Sequence, residues 1–76
     1  MPKDSIMVAL IAEAHGARTL PRRVAASLLL DLLRLDSSDE LFMSRQDVVE
    51  ANETPEVIKE LRALIDEHQL RRGFPR

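Results

Sequence analysis

Three features of this chain predict an all-α fold. Twelve leucines and eight alanines among 76 residues favour helix. The four prolines all fall where helices can begin or end. Between them, apolar residues recur at helical rather than alternating spacing. The length allows one small domain, 1–76. The pattern divides it into a bundle of about four helices, 5–15, 20–35, 45–51 and 55–70.

The first helix is expected to start at a cap provided by Asp4 or Ser5 and to stop at Gly16 in a left-handed conformation. Ile6 to Ala12 is apolar on every side, which suits a helix that is central in the core or shared with a partner. A buried strand is the competing assignment for those seven residues, and the Glu13-Ala14-His15-Gly16 ending favours helix. The second helix has Thr19 as its cap and Pro21 in its first turn. Arg23, Ser27, Asp31 and Arg34 form a narrow polar stripe along it. Val24, Ala25, Ala26, Leu28, Leu29, Leu32, Leu33 and Leu35 fill the rest, an arc wider than the roughly 100° that a simple surface helix needs. A core in this size class supplies only about 3–5 kcal/mol, so self-association is the natural way to bury the excess.

Asp36 to Asp39 reads as a polar loop, and Glu40 to Met43 as an extended piece or a lead into the next helix. Ser44-Arg45-Gln46-Asp47 resembles a capping box, predicting a short third helix over 45–51 that buries Val48 and Val49. Asn52-Glu53 ends it. Thr54-Pro55-Glu56 is a strong helix start. In the fourth helix Val57, Ile58, Leu61, Leu64 and Ile65 form an apolar face, and Arg62 is placed to pair with Asp66. Arg71, Arg72 and Gly73 suit a helix end, with Phe74 folding back on the last turn.

Composition excludes several function classes. Phe42 and Phe74 are the only aromatics, too few for base-stacking platforms, cation cages or sugar clefts. With no cysteine there is no disulfide, thiol nucleophile or Cys-ligated zinc. No apolar stretch reaches the roughly 18 residues of a membrane span. The N-terminus does not read as a secretion leader, so a reducing, cytoplasmic location is expected. The net charge of −2 is a cancellation: residues 1–35 sum to +2, 36–70 to −7 and 71–76 to +3.

The residues that can carry chemistry are few. His15 and His68 sit near helix ends and in no metal-binding pair. No serine lies in a nucleophile elbow, and there is no glycine-rich phosphate loop. A calcium loop counted from Asp36 finds oxygen ligands at Asp36, Ser38, Glu40 and Asp47. It has Leu41 where the sharp turn needs glycine, and the short Asp47 where a bidentate Glu belongs. Accordingly no catalytic residue, no metal site and no cofactor is expected.

The expectation is a small non-enzymatic protein-binding regulator, adaptor or inhibitor, working as a homodimer. Its self-association surface would be Leu28, Leu29, Leu32 and Leu33 with part of the first helix. Partner contacts would come from Arg22 and Arg23, and from Glu56, Lys59 and Glu60 in the acidic 39–67 segment. The alternative is a helix–turn–helix DNA-binding regulator using 45–51 and 55–70, its phosphate grip supplied by Arg18, Arg22, Arg23, Arg71, Arg72 and Arg76. Against it stands the face that would enter the groove: Glu56, Lys59, Glu60, Arg62, Asp66 and Glu67 sum to −2, which meets repulsion from DNA.

Overall fold

In the computed structural model, residues 3–35, 39–68 and 70 are described, with side chains for 5–34, 45–68 and 70. They form four helices: α1 (Lys3–Gly16), α2 (Leu20–Leu35), α3 (Asp39–Asn52) and α4 (Pro55–Glu67). No strand occurs among the described residues, and Ile6 to Ala12 is helical. α2 is the hub of the bundle. It packs extensively against α1 and α4, and more lightly against α3. The radius of gyration is 11.4 Å, close to the roughly 11 Å of a compact chain this long.

The caps of α2 and α4 form as their sequences dictate. Thr19 Oγ1 accepts the amide of Arg22 at 3.4 Å, and Thr54 Oγ1 accepts that of Val57 at 3.3 Å. Each hydroxyl satisfies one of the amides that a helix start leaves without a partner. Pro55 occupies the first turn of α4, where no amide is needed.

Other boundaries differ from expectation. α1 begins at Lys3, so Asp4 and Ser5 lie inside its first turn rather than capping it; an acid there still suits the positive helix end. α3 begins at Asp39, six residues before the expected start. Ser44 therefore lies within a helix, because Asp39-Glu40-Leu41-Phe42-Met43 continues the helix backwards with acids at its positive end. α4 closes at Glu67, with the His68 amide bonding Leu64 O at 3.1 Å. Leu70 lies beyond that cap and is buried.

Gly16 ends α1 without entering the left-handed region, and a Cβ built on it meets nothing within 4 Å. Glycine thus contributes only backbone freedom here. Gly16→Ala is expected to stabilise the fold by about 0.5–1 kcal/mol, because it restricts the unfolded chain without straining the native one. A urea midpoint equal to or below wild type would contradict this.

The core explains how α2 buries its wide apolar arc. Ala25, Ala26, Leu29, Leu30, Leu32 and Leu33 are buried, joined by Ile6 and Leu10 of α1 and by Val57, Leu61, Leu64 and Ile65 of α4. Flanking helices cover α2 within one chain. α1 is consequently an edge helix rather than a central one. Ile6 and Leu10 point inward, while Val8 and Ile11 remain 67% and 41% exposed.

Candidate functional site

The four leucines expected to mediate self-association divide between core and surface. Leu29, Leu32 and Leu33 are 0%, 3% and 2% exposed within a single chain. Leu28 is half-buried and stays accessible. The excess apolar surface of α2 is therefore mostly satisfied internally.

Among the described residues, and apart from the exposed Val8 and Ile11 of α1 and Leu20 at the start of α2, a groove lies open between α2 and α3. It is lined by Leu28, Asp31 and Leu32 from α2 and by Arg45, Val48 and Val49 from α3, and encloses about 280 Å³. Leu32 is its buried floor, whereas Val48 is 61% exposed. Val48 was expected inside. The inward face of α3 instead runs through Gln46, Val49 and Glu50, at helical spacing, which rotates Val48 outward. Asp31, read in sequence as part of a solvated stripe, and Val48, read as core, are the residues missed. Neither signals its place until the packing angle of α3 is known.

α3 is held to α4 by polar contacts. Glu50 takes a two-point contact from Arg62, 2.6 Å to Nη2 and 3.2 Å to Nε. The Gln46 side-chain amide donates to the same carboxylate at 2.8 Å. Arg62 thus pairs across helices rather than with Asp66, because a facing carboxylate allows the two-point geometry that guanidinium prefers. Gln46 is 4% exposed, and its Oε1 has no hydrogen-bond partner.

The proposed partner-binding residues fare unequally. Arg22 is committed inside the molecule. It binds Glu13 through Nη2 at 2.8 Å and Nε at 3.0 Å, Glu67 at 3.0 and 3.2 Å, and Glu60 at 3.4 Å. One cation thereby ties α1, α2 and α4. The guanidinium bond holds the Glu13 carboxyl below its ordinary value of 4.5, against the opposing effect of burial. The same bonds raise the pKa of Arg22. Glu60 is half-buried in this cluster rather than exposed. Arg23 is half-buried, with its Nε shielded and unpartnered. Glu56 and Lys59 do lie on the surface.

For the DNA alternative, α3 and α4 are consecutive helices joined by Glu53 and Thr54. The outward residues of α4 are Glu56, Lys59, Arg62, Asp66 and Glu67, two bases against three acids, with Arg62 already paired to Glu50. Arg18 is exposed; Arg71, Arg72 and Arg76 lie outside the described residues, as do Gly73 and Phe74. The calcium loop is not formed, because residues 39 to 47 are helical; Asp36 and Ser38 lie outside the described residues. Among the described residues, no three acids or histidines are grouped to hold a metal ion. His15 donates from Nδ1 to Ile11 O at 2.9 Å. No described helix is long and apolar enough to cross a membrane. No protein-family model, curated protein or solved structure matches the chain.

Proposed function

We propose that this chain is a small non-enzymatic protein-binding regulator, adaptor or inhibitor that works through its α2–α3 face. The observation that carries the proposal is the groove itself. The bundle fills its core from its own residues, yet leaves Leu28 and Val48 accessible around an apolar floor. Concave apolar surface flanked by a few polar groups is what helix-in-groove recognition uses. Several of the polar groups instead hold the fold. Glu13, Glu60 and Glu67 surround Arg22, and His15 and His68 serve helix ends.

A photo-crosslinking amino acid at position 48 tests this in the native host. The expected result is a discrete protein adduct, absent when the crosslinker sits at exposed Glu56 on α4. A chain that is folded and expressed but gives no adduct at 48 would sink the proposal. Duplex binding with a steep salt dependence would instead support the DNA-regulator alternative. The outward charge of α4 argues against that result.

A further inference from the structure

We infer that the occupant of the α2–α3 groove is the same groove of a second copy, joined about a two-fold axis. This rests on the protein-binding reading of that face and names its partner. Two-fold contacts require a surface that complements itself, so that a residue on one wall meets a different residue on the partner's other wall. The two walls differ in the way this requires: among the described residues, each offers apolar side chains and one charge of opposite sign. Its α2 wall offers Leu28 beside buried Leu32, and its α3 wall offers protruding Val48 beside half-buried Val49. A knob and a hollow therefore lie side by side on one face. The inferred pairing sets each α2 wall against the other copy's α3 wall, so that Val48 packs on the other copy's Leu28 and Leu32.

The charges follow the same rule. Asp31 belongs to the α2 wall and Arg45 to the α3 wall. In the two-fold arrangement each Asp31 faces the other copy's Arg45, which also keeps an interaction within its own chain. A groove made for an acidic or a basic partner helix would carry charge of one sign. Among the described residues, this one carries one charge of each sign, on opposite walls. The exposed face of α1, with Val8 and Ile11, lacks such selectivity, since nothing on it distinguishes one apolar partner from another.

The 76-residue chain should sediment as a dimer. Val48→Lys places a charge at the centre of the contact and should weaken association at least tenfold, with an unchanged circular dichroism spectrum because position 48 is exposed. Asp31→Arg and Arg45→Asp should each weaken the dimer, since each homodimer then contains two like-charge contacts. Mixing those two variants should restore a heterodimer, in which both contacts again pair opposite charges. Only a contact between copies predicts that rescue. A wild type that remains monomeric at its highest soluble concentration overturns the inference, as does a dimer indifferent to Val48→Lys. So does failure of the mixed variants to associate while both are folded. If the wild type is monomeric and a crosslinker at position 48 still captures a different protein, the self-pairing falls and the protein-binding reading stands.

Discussion

Leu29→Glu is expected to unfold the chain, with loss of helical circular dichroism and of a cooperative melting transition. Leu29 is 0% exposed on the hub helix and belongs to one apolar cluster with Leu10, Leu33, Leu61, Leu64 and Ile65, all of them fully or nearly fully enclosed. Removing a buried leucine side chain costs about 3–5 kcal/mol even when only a cavity is left. An unpaired carboxylate in that space costs several kcal/mol more, or is held protonated at comparable expense. A core in this size class supplies a margin of only about 3–5 kcal/mol. The substitution therefore exceeds the margin. Because Leu29 is buried within a single copy, the expected outcome is an unfolded chain rather than a folded monomer. A folded Leu29→Glu variant with wild-type thermal stability would place Leu29 on a surface and contradict the packing. Val48→Lys provides the contrast: it also introduces a charge for an aliphatic residue, but at an exposed position, so helical content should survive.

The difference between positions 29 and 48 also shows what was legible before the structure. The four helices were readable because their signals are local. Thr19 and Thr54 each provide a hydroxyl three residues before the amide it accepts, and Pro55 fits only a first turn. The core of α4 was readable because Val57, Leu61, Leu64 and Ile65 repeat at helical spacing with polar residues between them. The start of α3 was less so, because a Ser-x-x-Asp pattern fits a helix interior as well as a cap. The face of α3 was not legible at all. Val48 and Val49 are adjacent valines, so periodicity alone leaves open which of them meets α2. The answer depends on the crossing of two helices, a property of tertiary packing rather than of the segment. The wide arc of α2 needs cover, and α1 and α4 supply most of it within one copy, leaving Leu28 half-buried. Arg22 sits in the first turn of α2, the positive helix end, where a cation is disfavoured. Its explanation lies 38 and 45 residues away in Glu60 and Glu67.

Arg22→Met is expected to produce the second large effect, and one that depends on pH. The guanidinium lies among three carboxylates contributed by α1 and α4, with Glu13 bound at two points. The variant keeps much of the aliphatic packing and removes the cation, leaving Glu13, Glu60 and Glu67 to repel one another. Charge-assisted bonds of this kind contribute about 1.5–3 kcal/mol when shielded. Partial exposure of the cluster reduces that, so a loss of about 1–2 kcal/mol at neutral pH is expected. The sign of the pH dependence follows from Glu13. Its folded-state pKa lies below the ordinary 4.5 because of Arg22, so the unfolded chain takes up the proton more readily. The contribution to stability is complete above pH 4.5 and is lost as pH falls through the lowered folded value. In the variant the lowering is absent and crowding favours protonation in the folded state. Acid therefore relieves the repulsion while it erodes the wild-type advantage. Urea midpoints measured at neutral pH and well below pH 4.5 should show the gap between wild type and Arg22→Met narrowing in acid. A gap that stays constant with pH would mean that Arg22 acts through packing alone. No gap at neutral pH would mean that the cluster does not hold α1, α2 and α4 together, and Arg22 would return to consideration as a contact for another protein.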